Sequence, residues 1–108
     1  MKKQYNQLPH VAFSILLTLT DKERHGYDIL RQVNEDSLGR IRLSTGALYA
    51  SIQQLHEKGL IREVEQQNDS RRRYYVLTKK GNTVLEAELE YYKNSVRLAE
   101  ERQKEKYA

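Results

Sequence analysis

Helical spacing of apolar residues predicts two helices in the first third of the chain. Pro9 suits a first helical turn, and residues 11–19 are apolar nearly all round, which predicts a largely buried helix that a second subunit could help to cover. A second helix is expected to open at His25 and to end at Gly39, with Asp28 in the first turn, where the helix dipole favours a carboxylate. A charged connection, residues 21–24, separates the two helices.

A third helix is expected over residues 44–58, because Ser44 is a good N-cap and Gly59 can adopt positive φ after the last turn. Its apolar stripe consists of Leu48, Ile52 and Leu55. The opposite face is small, neutral or hydrogen-bonding, and it consists of Gly46, Tyr49, Ala50, Gln53 and Glu57. Such a face suits a helix that enters a DNA major groove, although an ordinary amphipathic helix would show the same stripe.

Alternating patterns predict extended segments on both sides of the third helix. Residues 40–43 alternate charged and apolar side chains and are expected to form a short strand. Residues 60–66 and 71–77 favour strands and flank a turn-forming segment, residues 67–70, which predicts a hairpin. Thr78 is expected to N-cap a last helix. The predicted fold is therefore mainly α with a small β-hairpin, in the order of a winged helix-turn-helix.

The last helix is expected to run from Thr78 to about Lys106. Its seam has the a/d spacing of a coiled coil and consists of Leu85, Leu89, Tyr92, Val96 and Ala99. Since a helix rises ~1.5 Å per residue, it would overhang a small domain, which favours pairing with a second subunit over packing of the seam on its own domain. The predicted organisation is a winged-helix DNA-binding domain over residues 8–77 and a long C-terminal dimerisation helix over residues 78–106.

Positive charge is concentrated around the third helix and the hairpin. The net charge is +4, and residues 40–80 contain nine Lys or Arg and four Asp or Glu, so this part carries +5 and the remainder −1. A basic patch of this kind is the electrostatic signature of a phosphate-binding surface.

Several classes of chemistry find no support in the sequence. The chain has no cysteine, so it has neither disulfides nor a cysteine-based metal site, which fits a reducing cytoplasm. Its three histidines lack metal-ligand spacing and are interpreted as surface or capping residues. We find no nucleophile elbow or phosphate loop, so we expect neither an enzyme nor a cofactor. The apolar run 11–19 follows two lysines but precedes no cleavage site, so it is interpreted as a buried helix rather than a signal peptide.

Three separated motifs, in order, resemble the PadR-type transcriptional regulators. The motif of the recognition helix consists of Gly46, Ala47, Leu48, Tyr49, Ile52, Leu55, Gly59, Leu60 and Ile61. Residues 25–29 (His-Gly-Tyr-Asp-Ile) are similar to the opening of the family's second helix, and residues 72–78 with Gly81 to its second wing strand and last helix. Ala47 stands where the family usually has threonine.

The resemblance implies a dimeric winged-helix repressor whose C-terminal helices form the dimer. The short chain with a single C-terminal helix is similar to the small subclass of the family. The partners implied are double-stranded operator DNA, a second copy of the chain, and, as in some members of the family, a phenolic or hydrophobic effector near the dimer interface.

The candidate DNA-binding residues fall into two groups. Arg71, Arg72 and Arg73 of the returning wing strand are expected to contact phosphates, although they could serve only solubility; in a strand, at most two of the three face one phosphate track. Base contacts are expected from Thr45, Tyr49, Gln53 and Ser44.

Two positions on the third helix have alternative explanations. Gly46 is explained either by close approach of the backbone to DNA or by packing against the second helix. Tyr49 either contacts DNA or forms a half-buried part of the core with its hydroxyl at the surface.

Two other functions are weighed against DNA reading. A winged-helix adaptor for a protein partner would expose apolar residues on the third helix and need no basic wing, and this chain has the reverse. RNA binding usually places aromatic residues on an open sheet, whereas the tyrosines here lie mainly on helices and at the base of the wing.

Overall fold

Four helices and three short strands follow one another in the computed structural model, which describes residues 8–65 and 71–107. In chain order they are α1 (His10–Thr18), β1 (Arg24–His25), α2 (Gly26–Asp36), α3 (Thr45–Glu57), β2 (Ile61–Val64), β3 (Tyr74–Leu77) and α4 (Lys79–Tyr107). The fold is mainly helical with a small antiparallel sheet, as predicted. The expected turn at residues 67–70 lies outside the described residues.

Local capping interactions set the ends of α3 and the start of α4, and both were predicted. The Ala47 amide donates to Ser44 Oγ at 3.1 Å, and Gly59 has φ of +74°. Thr78 Oγ1 accepts from the Gly81 amide at 3.0 Å and donates to the Gly59 carbonyl at 2.6 Å. Thr78 thus begins α4 and also ties it to the end of α3.

The third strand of the sheet does not come from residues 40–43, and that prediction is wrong. The strand order is β1-β3-β2, and β1 pairs with β3 through Arg24 opposite Tyr75 and His25 opposite Tyr74. Residues 40–43 have no regular structure, and the Ile41 amide donates to Ser37 Oγ at 2.9 Å instead of to a neighbouring strand. Alternating side chains are not sufficient for a strand, which also needs an unpaired edge within reach.

The first half of α4 belongs to the same core as the winged-helix elements. Leu85 is 1% exposed and lies in one apolar cluster with residues of α1, α2, α3 and the sheet, such as Ile15, Ile29, Leu48 and Ile61. Packing therefore continues across the predicted domain boundary at residues 77/78. Only the second half of α4 extends beyond the core, along a molecule whose longest dimension is 59 Å.

A buried arginine joins α1, β1 and α2. Arg24 is 8% exposed; its Nε donates to the Thr18 carbonyl at 2.7 Å, and its guanidinium also contacts Asp28 at 3.0 Å and Asp21 at 3.4 Å. Burial alone would raise the pKa of Asp28, but hydrogen bonds and charge from Arg24 and Arg31 outweigh it and lower that pKa. Asp28 therefore stays ionised at neutral pH, and Arg24 holds β1 beside the wing.

Candidate nucleic-acid interface

The N-terminal half of α3 presents an open face to solvent. Ser44, Thr45, Gly46 and Gln53 are all exposed. A Cβ built on Gly46 would meet no atom within 4 Å, so Gly46 does not pack against α2. This excludes the packing explanation for Gly46 and leaves a backbone surface onto which an external partner can close.

Tyr49 is partly packed against the protein and partly accessible to an external partner. Its side chain is 46% exposed, yet its ring lies against the first residue of α2, where a Cβ on Gly26 would collide with the Tyr49 hydroxyl. Gly26 therefore leaves room for the tyrosine. Tyr49 is thus held by α2 on one edge and remains accessible on the other.

The wing arginines precede the strand instead of lying in it. Arg71, Arg72 and Arg73 are exposed in an irregular segment, and β3 begins only at Tyr74, so the expected strand alternation does not apply to them. Arg73 Nε lies 3.7 Å from a carboxylate oxygen of Glu63 in β2. Arg72 Nη1 lies 2.8 Å from His25 Nε2. Arg72 and Arg73 are therefore held beside β1 and β2 respectively.

A cleft of about 560 Å³ brings the wing and the two helices together. It is lined by His25, Gly26, Tyr27, Tyr49, Arg71, Arg72 and Arg73. A neighbouring groove of about 360 Å³ is lined in part by Tyr49, Gln53 and Arg73. Tyr49 and Gln53 of α3 and the three arginines of the wing therefore line adjoining parts of one surface, which is cationic and hydrogen-bonding.

His25 and Tyr27 also belong to this surface, although neither was predicted to do so. His25 was expected to be a surface or capping residue, and its Nδ1 does accept from the Asp28 amide at 3.2 Å, which caps α2. Tyr27 is 71% exposed beside the same cleft. Neither position could be connected with the wing before β1 was known to pair with β3.

The predicted seam of α4 divides into two parts. Leu85 is in the hydrophobic core, Leu89 packs against that core, and the Tyr92 ring lies edge-on to Phe13 of α1 with centroids 5.1 Å apart. Val96, 58% exposed, and Ala99 remain open to solvent. The first part thus packs on its own domain, which was the alternative considered for the whole seam.

Lys80, next to the start of α4, lies away from the open face of α3. Its Nζ donates to the Lys58 carbonyl at 3.0 Å and caps the C-terminal end of α3. Among residues 8–65 and 71–107, no group of three or more His, Cys, Asp or Glu is arranged to hold a metal ion. Within the same residues, no helix combines the length and apolar character needed to cross a membrane.

Comparisons with known proteins agree with this architecture. The model of the transcriptional regulator PadR-like family matches residues 15–87. A PadR family transcription regulator from Clostridium difficile R20291 is 24% identical with a TM-score of 0.74, over 88% of this chain and 99% of its own. A transcriptional regulator from Clostridium thermocellum is 21% identical with a TM-score of 0.70, over 85% and 88%. An uncharacterized protein from Lysinibacillus sphaericus is 27% identical over 78 residues, 70% of this chain and 72% of its own.

Proposed function

The chain belongs to the PadR-like family of transcriptional regulators, and on that basis we propose that it is a homodimeric repressor released from its operator by an aromatic effector. The family is one of regulators rather than enzymes, and its function is DNA-binding control of transcription. The repressor role, the dimer, the effector and action in the cytoplasm are our proposals.

The observation that carries the proposal is the continuous surface formed by α3 and the wing. Gly46 leaves the backbone of α3 open to close approach, and Arg71, Arg72 and Arg73 line a cleft together with Tyr49 of the same helix. A major-groove helix needs an unobstructed N-terminal half, and phosphate binding needs cations beside it. We assign base contacts to Ser44, Thr45, Tyr49 and Gln53 and phosphate contacts to the arginines.

The same surface is poorly suited to the adaptor function. Apart from Tyr49, the exposed face of α3 carries no large apolar side chain, and most stable protein interfaces have an apolar centre. Gln53 is one of the exposed residues of this face, and its Nε2 donates to a carboxylate oxygen of Glu57 at 3.2 Å. An amide of this kind can exchange an exposed intrahelical contact for a base edge at low cost.

We predict that variants of α3 and of the wing weaken DNA binding in different ways. Gln53→Ala should lower affinity for the operator by about 5- to 150-fold, the range for loss of one bidentate base contact, while sparing random duplex. Arg72→Ala and Arg73→Ala should weaken all duplexes, and at least one should reduce the salt slope by about 1. Fluorescence anisotropy at several salt concentrations, on an operator selected from genomic fragments, measures both effects.

Matched controls are available on the same elements. Gln54→Ala removes the same side chain about a quarter-turn around α3, and Arg97→Ala removes an arginine on α4, so both should bind as the wild type does. An equal loss on operator and random DNA for Gln53→Ala would mean that α3 does not read bases at this position. Failure of the wild type to bind any duplex would contradict the proposed function itself.

An aromatic cluster supports the proposal of an effector site between subunits. The Phe13 and Tyr92 rings lie 5.1 Å apart, and the Tyr91 and Tyr92 rings 5.7 Å apart, both edge-to-face. Tyr91 is 51% exposed and lies on α4 next to Tyr92, a residue of the predicted seam. A planar molecule held there could favour a dimer whose two α3 helices no longer match one turn of B-DNA, ~34–36 Å.

We predict reciprocal coupling between effector and operator. A planar aromatic ligand should lower operator affinity by about 5- to 150-fold, corresponding to ~1–3 kcal/mol, and operator DNA should lower ligand affinity by the same factor. Calorimetric titration of a panel of such compounds, with and without operator, measures the coupling. A compound that releases DNA yet binds the free and operator-bound dimer equally would contradict the mechanism, and a panel without binders would remove the effector from the proposal.

A further inference from the structure

His25 makes two contacts that one imidazole cannot satisfy simultaneously. Its Nδ1 accepts from the Asp28 amide at 3.2 Å, and its Nε2 lies 2.8 Å from Arg72 Nη1. A guanidinium only donates, so both contacts require an acceptor nitrogen. A neutral imidazole has one acceptor and one N–H, and a protonated imidazole has no acceptor at all. The two contacts therefore belong to two different tautomers.

The surroundings of His25 fix the directions of its two nitrogens. The residue is in β1 opposite Tyr74, and its ring stands edge-on to the Tyr74 ring, with centroids 5.3 Å apart and planes at 87°. One nitrogen is directed to the first turn of α2, and the other to Arg72, which lines the cleft with Tyr27 and Tyr49. A change of tautomer thus converts Nε2, which faces the cleft, from an acceptor to a donor without any movement of the ring.

An anion in the cleft would favour one of these tautomers. Asp28, the acidic group nearest to His25 in α2, is bound by Arg24 at 3.0 Å and Arg31 at 2.7 Å, so its charge is compensated. The cleft itself is lined by three arginines. When Arg72 turns its guanidinium to an anion, Nε2 is released, and the proton can reside there while Nδ1 caps α2.

We infer that His25 is a phosphate-binding residue of the DNA interface, donating from Nε2–H to the same backbone phosphate that Arg72 binds. The inference rests on the proposed function, and it adds a neutral hydrogen-bond donor to the arginines that we assign to phosphate contacts. In the complex, Nδ1 accepts from the Asp28 amide, Nε2–H donates to a phosphate oxygen, and Arg72 contacts the same phosphate. In the free protein the two tautomers exchange, and in one of them Nε2 accepts a hydrogen bond from Arg72.

Two substitutions separate the roles of the two nitrogens. In His25→Asn the side-chain oxygen can replace Nδ1 as the N-cap, because asparagine is among the best capping residues, but nothing replaces the distal donor. In His25→Gln the amide nitrogen reaches near the former Nε2, while the cap is lost. His25→Asn should therefore keep the thermal stability of the wild type but lose DNA affinity, whereas His25→Gln should keep DNA affinity but lose thermal stability.

The expected DNA-binding result is a sequence-independent loss without a change of salt slope. His25→Asn should bind operator and random duplex about 10- to 150-fold more weakly, the range for loss of one hydrogen bond to a charged group. Its salt slope should match the wild type, because a neutral donor releases no counterion, whereas Arg72→Ala should show a smaller slope. His25→Gln should stay within about twofold of the wild type at a lower melting temperature.

The tautomer of His25 gives a readout independent of affinity. In ¹⁵N spectra of the imidazoles, we expect the free protein to exchange between tautomers and the duplex complex to show only the Nε2–H form. Wild-type affinity in His25→Asn, equal losses in both variants, or an unchanged tautomer on binding would each overturn the inference while leaving DNA binding intact. Inorganic phosphate alone producing the same shift at millimolar concentration would assign the cleft to free phosphate instead. Absence of any duplex binding by the wild type would overturn both proposals.

Discussion

Val96→Asp is expected to convert the proposed dimer into a monomer and to lower operator affinity by about 100-fold or more, because a monomer with one copy of α3 contacts only one half-site. Val96 lies on the exposed second half of α4, at an a position of the seam, and its side chain is 58% exposed in one subunit. A carboxylate at this position would be buried without a partner in the dimer, which is strongly unfavourable. In the monomer it stays in water, so the fold of each subunit should be preserved.

Sedimentation velocity at micromolar concentration and circular dichroism test this prediction together. Asn94→Asp is the matched control, because it adds the same charge at an outward heptad position, next to Arg97, whose Nη2 donates to Asn94 Oδ1 at 2.7 Å. Leu89→Asp is a less specific test, since Leu89 also packs on the core of its own subunit. A Val96→Asp protein that remains dimeric would show that the second half of α4 does not hold the subunits together.

Gly81→Ala is expected to destabilise the fold by about 3 kcal/mol, the upper range for forcing extra volume into a packed site. A Cβ on Gly81 would collide with the Leu60 carbonyl oxygen and would lie 2.8 Å from the Leu60 carbonyl carbon. That carbonyl accepts from the Thr78 amide at 3.1 Å, so the backbone at the junction of α3, β2 and α4 cannot easily retreat. For a domain of this size, the melting temperature should fall by at least about 10 °C.

Gly46→Ala is the matched control and should have the opposite effect on stability. Its Cβ would meet no atom within 4 Å, and alanine is better than glycine in a helix by about 0.5–1 kcal/mol. Thermal unfolding of the two variants should therefore shift in opposite directions. The same Gly46→Ala protein should lose operator affinity if the backbone approaches DNA there. A Gly81→Ala protein as stable as the wild type would show that the junction can rearrange.

Local interactions explain why much of the architecture could be predicted from the chain alone. The cap at Ser44, the positive φ at Gly59 and the cap at Thr78 involve residues within a few positions of one another, so their residue types are sufficient to indicate them. The stripe Leu48, Ile52 and Leu55 is buried as its spacing predicted. The family resemblance, carried by these same elements, was confirmed by the family match.

The composition of the cleft depended on contacts between segments that are far apart in the chain. His25 and Arg72 are 47 positions apart and meet only because β1 pairs with β3.

In α4, the a/d spacing is the same throughout, yet Leu85 is buried in its own core and Val96 is exposed. Likewise, Gly26 and Gly46 are both helical glycines, but one lies against Tyr49 and the other faces open space. The sequence by itself determined the helices, their ends and the apolar faces, because caps and periodicity act over one or two turns. Only the tertiary structure decided which surface covers each face and which distant side chains share the cleft, because packing depends on the path of the whole chain.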